Sequence, residues 1–293
     1  MARADRFRLA LAFTAICVIW GSTYLAIKVG LQSFDPFFYA GVRYAFAVVL
    51  AFTLARARGV RFSGPLRRWL PAFGVGALLV AFCNGIVFWA ETSLDSGFTA
   101  VLITTSPVWT ALLSPASGER APGPLGWAGI ALGFAGTTVL LAPWQARAVT
   151  LWPALVVQVS VVVWAGASLW VRRIRDRYHP MALSVAQMAA GGAILLPVAA
   201  VRGRALVGPV TLPAVAALSY LVVFGSVVAF ASYFYLLRHW DAARVSTSTY
   251  VNPVVAVTLG ALVLGEAVSL RMVAGAAIIL CGVALVLRER RDH

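Results

Sequence analysis

A chain of 293 residues that is 61% apolar or aromatic and only 12% charged has too little polar surface to coat a water-soluble globule, since soluble domains run near half apolar and about a quarter charged. Its mean hydropathy of +0.88 excludes a cytosolic enzyme, a secreted module and a disordered chain. The formal net charge of +14 is dispersed between apolar runs, which argues against a nucleic-acid partner and for a membrane-topology signal.

In chain order, ten apolar runs are centred near Trp20, Ala45, Val80, Thr105, Gly133, Val162, Gly191, Ser226, Ala256 and Ala277. Each is about 20 residues long, the length at which a helix crosses a bilayer. The runs show no period-2 alternation, so an outer-membrane barrel is excluded. Residues 9–29 read as a retained first helix: the run continues past Trp20 to Ile27, with no cleavage signal after a short core. Cys17, Cys83 and Cys281 fall singly inside runs and read as small hydrophobes, with no disulfide or metal site. Ten helices leave no room for a soluble domain, so any chemistry belongs inside the bundle.

With the N-terminus inside, 18 of the 24 Lys and Arg fall on the inner side and 5 on the outer, with Arg43 inside a span. The positive-inside rule then predicts an even number of spans with both termini in the cytoplasm.

The chain also repeats itself. At an offset of 144 Trp20 meets Trp164, Lys28 meets Arg172, and Asp35-Pro36 meets His179-Pro180. Further on the offset is 146: Phe88 meets Phe234, Asp95 meets Asp241, Pro107 meets Pro253, Gly129 meets Gly275 and Gly136 meets Gly282. Gly118-Glu119 and Gly265-Glu266 match at 147. An ordered series at a nearly constant offset points to a duplication. Each unit holds five helices, so the second copy must enter the membrane the other way round. The expected fold is an all-α membrane protein of ten transmembrane helices, built as inverted five-helix repeats over residues 1–143 and 152–293. Inverted repeats of this kind are an architecture of secondary transporters, with the solute site between the halves.

Trp20-Gly21-Ser22, Arg43, Pro107 before Gly118-Glu119, Trp164-Ala165, Asn252-Pro253 and Gly265-Glu266, in that order across two inverted halves, resemble the EamA-type family of the drug/metabolite transporter superfamily. The resemblance covers essentially the whole chain and is closest in type to bacterial aromatic amino-acid exporters. It implies a ten-helix exporter of small metabolites in the bacterial inner membrane.

Several residues are candidates for the solute path. Pro107 and Pro253 interrupt the fourth and ninth runs among polar neighbours and are expected to act as paired hinges. Trp20 and Tyr24 share a face of the first helix, and Trp164 repeats Trp20 in the sixth; near span centres their indole N–H groups need a partner, which favours the bundle interior. Asn84 and Phe88 share a face of the third run, and Tyr233 lies beside their repeat partners in the eighth. Trp109, Gln158, Tyr250 and Asn252 complete the expected binding set. Arg43, seven residues past Pro36, reads as a structural or snorkelling cation ahead of a solute contact. The glycines of the fifth and tenth runs read as packing positions.

The spans lack a cluster of cations that would hold phosphates, and they lack a central carboxylate that would hold a cation. The sequence therefore predicts a secondary carrier exporting neutral or aromatic amino acids by alternating access. Export of drugs or of lipophilic or cationic molecules is the alternative. A channel is disfavoured for want of a charged pore ring, and an intramembrane enzyme for want of a nucleophile–base or metal pair. There is no phosphate-binding loop, so no ATP drive is expected, and no cofactor. A small-molecule substrate and membrane lipids are the expected partners, and a monomer suffices. All ten Asp and Glu fall in loops, tails or span ends; this predicts transport without proton coupling, Glu91 being the residue best placed to contradict it.

Overall fold

A computed structural model describes residues 3–94, 96–142, 151–264 and 269–289. Among the described residues every regular element is helical, and the β-type pairing is limited to an isolated bridge between Phe34 and Leu206. The first half contributes α1 (Arg3–Gly30), α2 (Pro36–Ala57), α3 (Leu66–Ala90), α4 (Ser96–Ile103), α5 (Ser106–Leu113) and α6 (Pro124–Leu141). The second contributes α7 (Leu151–Ile174), α8 (Pro180–Arg202), α9 (Leu212–His239), α10 (Ala242–Ser246), α11 (Ser248–Leu264) and α12 (Leu270–Glu289). Seven of these, α1, α2, α3, α7, α8, α9 and α12, are long and apolar enough to cross a membrane, so the chain is a multi-pass membrane protein. The other three expected runs lie on shorter helices. Thr105 stands in a break between α4 and α5, Gly133 lies on α6, and Ala256 lies on the 17-residue α11.

The breaks fall where side chains can replace the lost helical bonds. The chain leaves helical geometry at Thr104 and Thr105, and Pro107 follows in the first turn of α5, where a missing N–H costs nothing. Pro253, by contrast, stays inside α11, and the break there comes earlier, at Thr247 between α10 and α11. The two prolines thus occupy different positions relative to their breaks.

Matching devices recur at the repeat offset. Asp35 caps α2 by accepting from the N–H groups of Phe37 and Phe38. His179 caps α8 with its Nδ1, which accepts from the N–H of Met181 at 3.3 Å. Both caps are followed by proline at the first helical position, where its fixed φ starts a helix. Within α3 and α9 the turns widen to π geometry over Ala77–Asn84 and Leu221–Val228. Each wide turn is stitched by a side chain reaching five residues back. Asn84 Nδ2 donates to Leu79 O at 2.7 Å, and Ser226 Oγ donates to Leu221 O at 3.0 Å. Such stitching is needed in a membrane, where no water satisfies a freed carbonyl.

Two helix pairs pack most closely, α6 on α12 and α2 on α8. The first rests on glycine. A methyl group at Gly129 would come within 2.6 Å of Gly282 O, and one at Gly282 within 2.7 Å of Gly129 O. The expected packing role of these glycines is the role they have here, because their backbones meet with no room for a Cβ. α1 runs against α9 and α11, which brings Trp20 and Tyr24 towards the second half.

Candidate functional site

α1, α2, α3, α4, α5, α7, α9, α10 and α11 surround a cavity with about 800 Å³ of empty space, including the part continuous with solvent. Six of the expected residues line it: Trp20 and Tyr24 from α1, Asn84 from α3, Trp164 from α7, Tyr233 from α9 and Asn252 from α11. Trp20 and Trp164, the repeat-related pair, meet edge to face with ring centroids 5.7 Å apart. Tyr233 packs against both, at 5.2 Å from Trp20 and 5.6 Å from Trp164. Its hydroxyl is held by Ser168 Oγ, which satisfies the phenol and fixes the ring. The result is a rigid aromatic wall of the kind that grips an apolar or aromatic side chain.

The wide turn of α9 organises the polar side. Gly225 O accepts from Arg43 Nη2 at 2.8 Å and from Trp20 Nε1 at 3.4 Å. Arg43 Nε donates to Ser226 Oγ at 2.8 Å. The guanidinium also lies over the rings of Tyr44 and Phe88, 4.9 and 5.7 Å from their centroids. Arg43 is only 2% exposed and lines the cavity, so it does not snorkel. Among the described residues no carboxylate lies within ion-pair distance of it. A buried cation held by neutral acceptors and lacking a counter-ion favours an anionic group brought by a solute.

The remaining expected residues sit behind this lining. Phe88 is fully buried, edge to face with Tyr39 at 5.3 Å, and supports Arg43 from the side. Gln158 mends the break between α4 and α5. Its Nε2 donates to Leu102 O at 3.0 Å, while its Oε1 accepts from Thr105 Oγ1 at 3.0 Å and Trp109 Nε1 at 3.4 Å. Trp109 and Gln158 are thereby occupied with each other. Tyr250 donates to Ile130 O at 2.9 Å and lies against Gly133, tying α11 to α6. Pro107 and Pro253 do not line the cavity, although Ser106, Ser248 and Thr249 beside them do. With its amide nitrogen turned to its acceptors, Asn252 donates to Ser248 O at 3.1 Å and to Cys17 O at 3.2 Å.

Ser160, a polar side chain deep in its run and able to bond a polar solute, also lines the cavity; sequence reasoning passed over Thr23, Ile27, Cys83, Val87, Ile103, Val161 and Ser246, which line it too. Most were within reach of simple spacing. Thr23 and Ile27 follow Trp20 at three and seven residues, Val87 follows Asn84 at three, and Val161 precedes Trp164 at three, all on the same helix faces. Ser246 had no such signal, since α10 is a single short turn.

One expectation about charge is corrected. The sequence places all ten carboxylates in loops, tails or span ends, which predicts that none is buried. Yet Glu91, one residue beyond α3, is 1% exposed, and among the described residues neither carboxylate oxygen has a hydrogen-bond partner. Asp35 is also buried, by its capping bonds and by Arg202 Nη2 at 3.6 Å. Glu91 is covered because the chain turns back tightly after Ala90, with Leu94 N donating to Ala90 O. That turn packs Ala90 and Leu94 on Val157 and Val161 of α7. Asp95 and Glu266, the repeat partners of Asp241 and Glu119, lie outside the described residues.

At the opposite end of the bundle Arg172, the repeat partner of Lys28, is bound to Glu119 at 2.6 Å and to Asp241 at 3.4 Å, and it also donates to Trp240 O.

Comparison with known proteins agrees with this architecture. The profile of the EamA-like transporter family matches residues 8–142 and again 151–288. An uncharacterized inner membrane transporter of Escherichia coli K12, YedA, is 36% identical over 259 residues, 88% of this chain and 83% of its own. A probable terminal-alkyne amino-acid exporter of Streptantibioticus cattleyicolor is 30% identical over 287 residues, 95% of this chain and 93% of its own. A solved crystal structure superimposes over the whole of both chains with a TM-score of 0.79 at 20% identity, a likeness of fold. An all-helical multi-pass chain, matched in each half by the same profile, belongs to the EamA-like transporter family.

Proposed function

We propose that this transporter is a secondary carrier exporting neutral amino acids with apolar or aromatic side chains across the bacterial inner membrane by alternating access. The observation that carries the reading is one cavity that joins an aromatic wall, Trp20, Trp164 and Tyr233, to the buried guanidinium of Arg43. In this reading the α-carboxylate faces Arg43 and the side chain lies on the aromatic wall. Asn84, Asn252 and the hydroxyls of Thr23 and Ser248 offer polar groups for the ammonium end. The amino-acid exporter of Streptantibioticus cattleyicolor supports the substrate class. A cationic drug would meet Arg43 and no lining carboxylate, which disfavours the alternative.

The proposed frame is ten spans in two inverted halves, 1–143 and 152–293, with both termini in the cytoplasm. The 144-residue spacing of the two π segments and the two proline-led caps supports it. In this frame Lys28 and Glu91 lie at the outer end and Arg172 at the inner end.

The test is counterflow of labelled phenylalanine in proteoliposomes, competed by amino acids, amines and nucleosides. Neutral amino acids should compete, and Arg43→Met should abolish flux of carboxylate-bearing solutes while Arg43→Lys keeps part of it. Competition by amines alone would replace this reading with the drug-export alternative.

A further inference from the structure

A carboxyl group removed from water with no partner is costly for a membrane bundle to hold, and it stays only where it is neutral or used. Glu91 is such a group: it is 1% exposed and both oxygens lack partners among the described residues. The exposed Lys28 of α1 lies beside it, and its Nζ donates to the main-chain carbonyl of Glu91 at 3.1 Å, while neither carboxylate oxygen has a partner among the described residues. Tyr24 of α1 and Tyr39 of α2 lie within the electrostatic reach of Glu91, and Arg43 of α2 acts on the same Tyr39. Arg202 of α8 is engaged by Asp35 at this end. The facing stretch of α7, residues 151–164, has no titratable side chain. Burial raises the proton affinity of the carboxyl, and the charge of Lys28 opposes that rise only in part.

The position ties this group to the cavity. Val87 and Tyr24, one turn before Glu91 and Lys28 on their helices, both line it, so the carboxyl lies about 5–6 Å along the bundle from the solute space. At the opposite end Arg172 bridges Glu119 and Asp241.

We propose that Glu91 is the proton-binding site of this carrier, protonated while tucked against α1 in the conformation described and deprotonated in the opposite one, so that one proton enters as one solute leaves. This rests on the transport reading above. The proton comes from water at the outer end onto a carboxylate oxygen. It leaves to water on the inner side once the ends of α1 and α3 rearrange, and the bared carboxylate then pairs with Lys28. Exchange of a zwitterion for a proton moves one positive charge inward, so both the pH gradient and the membrane potential drive it.

Two measurements test it independently. Infrared difference spectra of the protein in bilayers, titrated through neutral pH, should show a protonated-carboxyl C=O band that Glu91→Gln removes. In proteoliposomes, a pH gradient should drive uphill movement of labelled phenylalanine by wild type. Glu91→Gln should lose that movement and keep counterflow, which also shows that the variant is folded. A band absent at neutral pH, or unchanged in the variant, overturns the proposal. So does wild-type counterflow that a pH gradient cannot drive uphill. If wild type moves no phenylalanine under any condition, the amino-acid reading fails, and the infrared titration alone decides the proton site.

Discussion

The two ends of the bundle hold equivalent cations in opposite ways. Arg172, at the end of α7, is bound by Glu119, Asp241 and the carbonyl of Trp240, with little of its side chain exposed. Lys28, 144 positions earlier at the end of α1, bonds a main-chain carbonyl, while the carboxylate beside it is buried and has no partner among the described residues. One end is latched by charge-assisted bonds and the other is left electrostatically unfinished. The same duplication thus supplies a lock at one end and a titratable group at the other.

The largest effect should come from the latched end. Arg172→Ala leaves Glu119 and Asp241 without their shared cation and should cost about 2–3 kcal/mol of stability, read as a fall in melting temperature in detergent. Lys28→Ala removes one hydrogen bond and should cost about 1 kcal/mol or less. Equal losses would break the comparison.

The helix caps come next. Asp35 starts α2 at the Lys28 end with two N–H bonds and an ion pair to Arg202, and Asp35→Ala should cost about 1–2 kcal/mol. His179 starts α8 at the Arg172 end with one long bond. Denaturation of both variants under one condition ranks the caps, and a larger loss for His179→Ala would reverse the ranking expected here.

A pH dependence separates the two ends further. Glu91 has its proton affinity raised by burial. A carboxyl with a raised folded-state pKa stabilises the fold in the acid range and loses that contribution as pH rises through the folded value. Melting temperature should therefore decline from weakly acid to neutral pH and above, and Glu91→Gln should flatten that slope. A slope that survives in the variant would assign it elsewhere.

The smallest effect belongs to His179. Partial burial, with the charge of Arg238 adding to it, lowers its proton affinity. Its cap is fully present above the usual imidazole range and is lost as pH falls through the lowered value. His179→Asn should keep the cap and remove the acid-side loss, a shift of a few tenths of a kcal/mol. Thermal scans below neutral pH would detect it.

Much of this is legible in the sequence. Trp20 and Trp164 were paired by repeat position, and they touch. Asp35-Pro36 and His179-Pro180 were matched as dipeptides, and both turn out to be caps of the same build. Other features left no trace in one dimension. Trp109, Gln158 and Tyr250 look like binding residues by type, but what each bonds depends on a partner 49 to 120 positions away. For Arg43 the sequence leaves snorkelling, a structural role and a solute contact all open, because the groups that turn it inward, Gly225 O and Ser226, belong to a wide turn in the other half.

Composition, span length and the repeat offset are properties of the chain alone, since bilayer thickness and backbone bonding act on each segment separately. They were enough to identify a membrane-embedded helical protein with two related halves. Which carboxylate is buried, which cation is held by neutral acceptors and which aromatic lines the cavity depend on how helices far apart in sequence come together. Electrostatic environment is set by neighbours in space. The sequence places Glu91 at a span end; only the packing of α1 and α7 over the turn that follows α3 takes its carboxyl out of water.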